Sequence, residues 1–218
     1  MARLVFEKTG RSIWISHLDL MRLFQRAFKR AGLALKHTQG YNPRPSVSIA
    51  LPLSVGIEST CELLDFELDG DLPTMDAIRD DLNRALVEGV RVTSVSHGGK
   101  KLKELAYLSC QVDLEYDDGV GEDAVNAISR LFARPSLTVE KKGKNGPVET
   151  DIIPMIRELN VASAENLVRI QAKVCCQNPS LNPMLLASAV ERYLPEYKAD
   201  HVRCRRLELY DTQDKIFR

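Results

Sequence analysis

Residues 16–45, SHLDLMRLFQRAFKRAGLALKHTQGYNPRP, hold a helix with both ends marked, followed by a stiff loop. Ser16 is a natural N-cap, and Asp19, three residues on, can close a capping box. Leu20, Phe24, Ala27, Phe28 and Ala31 recur at helical spacing and predict a buried stripe over residues 16–31. Gly32 follows the last periodic residue, where a left-handed position favours a residue without Cβ. Arg22, Arg26, Lys29 and Arg30 fall on another face, at steps of three and four. The helix is therefore apolar on one side and cationic on another. In the loop Q-G-Y-N-P-R-P, Pro43 and Pro45 push Asn42 and Arg44 toward extended geometry, so that Tyr41, Asn42 and Arg44 are held out in a fixed arrangement.

Outward from this stretch, residues 2–8 alternate as a strand and 34–38 read as extended. Residues 46–53 and 61–68 read as strands. Pro73 opens a second helix with Ile78, Leu82, Ala85 and Leu86 as its stripe, Gly89 stops it, and 90–95 is a strand. The order β-α-β-β-α-β is the ferredoxin-like plan. Residues 97–106 read as a linker with a short helix, and the order then repeats. Strands are expected over 108–116, 137–142, 167–175 and 202–210, and helices over 122–133 and 182–194. A turn is expected over 142–147. Residues 148–159 read as a strand or short helix interrupted by Pro154. The expectation is an α+β protein of two tandem ferredoxin-like units with antiparallel sheets, residues 1–100 and 105–212, and a loose tail after Asp211.

At 218 residues, with 44% hydrophobic and 28% charged residues, the composition is that of an ordinary soluble globular protein. No apolar run approaches the roughly 18–20 residues that span a bilayer, and MARLVFEK lacks the apolar core of a signal peptide. Cytoplasmic location without membrane contact is expected. The net charge of zero hides an asymmetry: residues 1–50 carry nine Lys/Arg against two acids, and residues 51–100 carry four against ten. Such a dipolar surface steers anions to one place. The five cysteines (Cys61, Cys110, Cys175, Cys176, Cys204) show no C-x-x-C and no cluster-binding triplet. They read as reduced, mostly buried thiols, with no metal and no cofactor.

The runs FEKTGRSIWISHLDLMRLFQRAFKRAGL and QGYNPRPSVSIALPLSVGIES resemble the bacterial radical SAM-linked, or radical SAM-associated, family of unknown function. The resemblance is close over residues 3–68 and looser to about 160, where VETDIIPMI is similar to the family's second landmark. Arg44 departs from the histidine expected in many members. The resemblance implies a partner: the domain is fused behind a radical SAM enzyme or encoded beside one. Without a cysteine triplet, this chain needs that partner for radical chemistry. The element order also resembles tandem RNA-processing folds of the RAMP type, including CRISPR-type endoribonucleases, by fold analogy alone.

Three functions follow as expectations. The first is an accessory RNA-binding protein that works with a radical SAM enzyme on tRNA or rRNA and has no catalytic activity of its own. In it Arg22, Arg26, Lys29 and Arg30 contact phosphates, Tyr41 stacks, and Asn42 and Arg44 read base edges. The second is a protein adapter that docks the radical SAM subunit without touching RNA. The third is a metal-independent endoribonuclease using His17, at the positive end of the helix, as general base. His17 and His37 have no carboxylate or cysteine at ligand spacing, which argues against a metal. The bland readings are a solvated cationic face paired with the acids of 58–81, a proline-rich turn with a packed tyrosine, and Glu62, Asp65 and Glu67 as salt-bridge partners.

Overall fold

The computed structural model describes residues 1–70, 73–143 and 146–218. The chain divides into two compact units: residues 1–104 with Phe217 and Arg218, and Leu105–Ile216. The fold is mixed α+β with antiparallel strand pairing inside each unit.

The first unit runs β1 (Ala2–Lys8), α1 (His17–Arg30), β2 (Val47–Ala50), β3 (Glu58–Phe66), α2 (Met75–Ala85) and β4 (Val90–His97). Its strand order is β4-β1-β3, with β2 on the other side of β3. Alternate residues of the strands (Leu4, Phe6, Leu64, Phe66, Val92) meet Phe24 and Phe28 of α1 and Ile78 and Leu82 of α2 in one buried cluster. The rings of Phe6 and Phe24 lie 4.8 Å apart edge to face, and those of Phe28 and Phe66 lie 5.0 Å apart. Period 2 in the strands and period 3.6 in the helices thus converge on the same core.

Local chemistry sets the ends of α1. Ser16 Oγ accepts from the Asp19 amide at 3.2 Å and donates to Asp19 Oδ2 at 2.7 Å. At the other end Gly32 sits at φ 73°, Leu33 N–H donates to Phe28 O at 2.9 Å, and Gly32 N–H donates to Lys29 O at 3.2 Å. This is a Schellman motif, with Leu33 packing back toward Phe28. An added Cβ at Gly32 meets nothing within 4 Å, so its cost is conformational only. Gly32→Ala is expected to lower stability by about 1–2 kcal/mol; an unshifted urea midpoint would contradict this account of the cap.

The second unit runs β5 (Leu105–Glu115), α3 (Glu122–Phe132), β6 (Thr138–Gly143), β7 (Gly146–Asp151), β8 (Ile156–Ala164), β9 (Leu167–Cys175), α4 (Met184–Tyr193) and β10 (His201–Asp211). The strand order β10-β5-β9-β8 follows the same pattern as the first unit, and β6 and β7 form a separate two-stranded ribbon. In β9, Val168, Ile170, Ala172 and Val174 are buried, while Arg169, Gln171 and Lys173 point the other way.

The strand or short helix expected over 148–159, interrupted by Pro154, is β7, a 3-10 turn at Ile153–Met155 and then β8. The Asp151 carboxylate ends β7 by accepting from Leu137 N–H at 2.9 Å and Ile153 N–H at 3.1 Å. Those amides, the Leu137 one first, hold its carboxyl below the usual carboxylate range. Pro154 stands at the start of the 3-10 turn, where its missing N–H has no partner to lose. The centre of the turn expected over 142–147, Lys144–Asn145, lies outside the described residues.

The tail, expected to be loose, is tied down. Asp211 accepts from the amides of Gln213 and Lys215, Phe217 is fully buried, and Lys100 N–H donates to Arg218 O at 2.9 Å. All five cysteines are free thiols. Burial pushes Cys110, Cys176 and Cys204 up to about 12.

Candidate nucleic-acid interface

Opposite its buried stripe, α1 exposes Arg22, Arg26, Lys29 and Arg30. Their neighbourhoods differ. Arg22 Nη1 lies 3.1 Å from Asp19 Oδ1, on its own helix. The Ser16 hydroxyl, with Arg22 second, holds the Asp19 carboxyl below the ordinary carboxylate range. Arg30 turns toward α2 and donates to the Ala85 carbonyl. There, with Arg84 and Asp81, it borders a cleft of about 390 Å³. Lys29 turns the other way, into a cleft of about 500 Å³ whose far side is formed by His37 and Pro45. Arg26, one turn before Lys29 and Arg30, stays in the open between the two.

Asp19 apart, five acids of the following strand and helix are engaged elsewhere. Asp76 and Asp80 pair with Arg79, and Asp81 with Arg84, all within α2. Glu67 pairs with Lys36 at 3.4 Å, and Asp65 with Arg3.

The loop after α1 is closed at its base. His37 and Pro45 form a β-bridge, Thr38 N–H donates to Arg44 O at 2.8 Å, Arg44 N–H donates to Thr38 Oγ1 at 3.0 Å, and Ser46 N–H donates to Lys36 O at 2.7 Å. Tyr41, Asn42 and Arg44 all stand in solvent, and Tyr41 is 100% exposed. An aromatic ring with both faces bare on a closed loop is available for stacking.

The structure thus brings Lys29 together with the base of the Tyr41 loop. Arg30 is on the opposite flank of the helix. His17, half-buried at the first residue of α1, is about 18 Å along the helix axis from Lys29 at 1.5 Å per residue. A histidine at that distance does not face the same ligand atom.

Several features of this region were outside the sequence reading. Gln25 lines the 500 Å³ cleft, and so does His37, which the sequence offered only as a metal-ligand candidate to be set aside. Trp14, Leu18 and Val55 are exposed apolar residues around the lead-in to α1, with Trp14 packed against Gly56. Lys8 is 1% exposed beneath that lead-in. An isolated glutamine, histidine or tryptophan has no periodicity to reveal it. Among the described residues, no group of three or more His, Cys, Asp or Glu is placed to hold a metal ion, and no helix is long and apolar enough to cross a membrane.

The fold and this surface define an α+β protein with a cationic helix face and an exposed aromatic loop. By sequence, the chain belongs to the bacterial family described as "Uncharacterized protein conserved in bacteria (DUF2344)", which matches residues 2–183. No curated protein matches it. Among solved structures, the chain is similar to an unknown protein from Galdieria sulphuraria, with 13% identity and a TM-score of 0.27 over 94% of this chain and 96% of that one. A likeness of that size carries no argument about function.

Proposed function

We propose that the chain is an accessory RNA-binding protein that presents tRNA or rRNA to a partner radical SAM enzyme, which performs the modification. The observation that carries the reading is the net cationic face of α1, on which Asp19, paired with Arg22, is the one acid of the helix: the acids of α2 pair within α2, and Arg22, Arg26 and Lys29 remain at the surface. The strand order common to both units, read as a tandem ferredoxin-like plan, agrees with RNA-processing folds by analogy. The radical SAM partner rests on the sequence resemblance.

Arg22 and Arg26 contact successive phosphates in this reading, so affinity falls steeply with salt. Arg22→Glu with Arg26→Glu is expected to abolish RNA retention at low salt, a loss of about 100-fold or more, because two attractions become repulsions. Unchanged retention on a heparin or RNA column ends the assignment.

The adapter reading has its own support in the exposed apolar surface at Trp14 and Leu18, 69% and 66% exposed. The same chromatography separates the two. A radical SAM subunit that co-purifies with an absorbance ratio typical of clean protein favours the adapter; bound nucleic acid lost in the double glutamate variant favours RNA.

A further inference from the structure

The 500 Å³ cleft beside the last turn of α1 is built from two kinds of wall. Its floor is apolar: Ala34, Leu35 and Pro45 present exposed or half-buried carbon above the buried Phe28 and Leu33. Its rim is polar, with Gln25 and Lys29 from α1 on one side and His37 on the other. The geometry follows from the chain reversal at Gly32. The Schellman turn folds Leu33 back toward Phe28, and Ala34 O then accepts from Asp69 N–H at 2.8 Å. That bond leads the segment along the end of β3 and sets His37 across from the helix. Ala34 itself lines the cleft with only a methyl group.

The volume lies in the range of small-ligand sites and is too small for a duplex. An apolar floor accepts the face of a planar ring. Gln25 can donate and accept at once, as can a neutral His37, which is what the edge of a nucleobase requires. Lys29 supplies a point charge for an adjacent phosphate. From the far side of the cleft the closed loop carries Tyr41 into solvent, where a second base can stack.

We infer that this cleft takes one unpaired nucleotide of a single-stranded RNA segment, its base on Ala34 and Leu35 and its phosphate on Lys29. The inference rests on the RNA-binding reading and narrows it: the ligand is a splayed single strand, recognised by a pocketed base, and not the backbone of a duplex.

The test is fluorescence anisotropy on the full chain, with a labelled single-stranded decanucleotide RNA of mixed sequence and a labelled RNA duplex of the same phosphate count, at one salt concentration. The single strand is expected to bind at least about tenfold more tightly, the scale of one buried base. Ala34→Phe fills the cleft without changing any charge or backbone hydrogen bond. It is expected to lower single-strand affinity about tenfold while leaving duplex affinity as it was. Lys29→Gln, on an exposed helix position that does not threaten folding, is expected to reduce the slope of log affinity against log salt by about 0.7, the single-strand value for one phosphate. If Ala34→Phe and Lys29→Gln both bind the single strand as wild type does, the cleft is not the site. Equal binding of duplex and single strand overturns the inference in the same way. Retention that depends on Arg22 and Arg26 would leave the broader RNA-binding reading standing in either case. If neither RNA binds, both readings fall together; capture of the radical SAM subunit by the same protein then assigns the surface to protein docking.

Discussion

Asp65→Ala is expected to destabilise the protein by about 3–5 kcal/mol, the cost of leaving one partner of a buried ion pair behind. Arg3 on β1 and Asp65 on β3 stand directly opposite in the antiparallel register and are 3% and 7% exposed. The fork of the guanidinium matches the carboxylate: Nε lies 2.6 Å from Oδ1 and Nη2 lies 2.9 Å from Oδ2. The third nitrogen, Nη1, donates to the Lys100 carbonyl at 3.0 Å, and the Phe217 ring lies 5.2 Å from the guanidinium carbon. Gly99 packs so closely over the guanidinium that an added Cβ would fall 2.7 Å from Nη1. The cation therefore cannot swing out to water when its carboxylate is removed. Arg3→Met with Asp65→Leu is expected to recover most of the loss, because matched apolar residues avoid the desolvation penalty of both ions. Urea midpoints of the single and double variants decide it. A single variant within 1 kcal/mol of wild type would mean that the pair contributes specificity and not stability.

That pair also shows where sequence reading stops. The helix over 16–31 was legible because its signals are local: a capping serine, a 3.6-residue apolar period and a glycine stop all fall within seventeen residues. The strands of the first unit were legible through alternation, and with the two helices they make the mixed α+β fold with antiparallel pairing β4-β1-β3-β2. A charged residue in a strand ordinarily marks the solvent side, and nothing local sets Arg3, Lys8, Glu62 and Asp65 apart from that rule. All four are buried. What covers a sheet face is a tertiary property that no period-2 pattern records. The Asp65 reading was right in kind, an ion pair, but its partner is a strand residue sixty-two positions away and not the cationic helix. The β6–β7 ribbon was legible in part: the strand expected over 137–142 is β6, whereas residues 146–149 are exposed on both faces, so β7 carries no alternation to tell strand from short helix. At the site, the cationic face and Tyr41 were legible from spacing and composition. The cleft was not, because it depends on the direction in which the chain leaves Gly32.

Lys8→Met is expected to cost a further independent 3 kcal/mol or so, built from two charge-assisted hydrogen bonds at about 1.5–3 kcal/mol each. Lys8 is 1% exposed and Glu62, near it on β3, is 0% exposed. The Lys8 ammonium donates to the carbonyls of Ile13 at 3.1 Å and Ile15 at 2.8 Å. It thereby stitches together the 3-10 turn (Gly10–Trp14) that delivers the chain to Ser16, the cap of α1. Burial pulls the Lys8 pKa below its ordinary 10.5, and the Glu62 charge opposes that pull. The sign of the pH effect follows. Between the lowered folded value and 10.5 the unfolded chain holds a proton that the folded chain has shed, so stability rises with pH in that window. Lys173, whose pairing with Asp214 raises its pKa, has the opposite sign and acts above 10.5; it is common to both proteins and cancels in their difference. The stability gap between wild type and Lys8→Met should therefore widen as pH climbs toward 10.5. A pH-independent gap would show that the ammonium is not desolvated in the fold. Because the turn it braces carries Trp14 and leads into the cationic helix, the variant separates the two functional readings as well. Docking through the Trp14 and Leu18 surface should weaken with it, whereas RNA affinity through Lys29 and the Tyr41 loop, at the far end of α1, should persist wherever the variant remains folded.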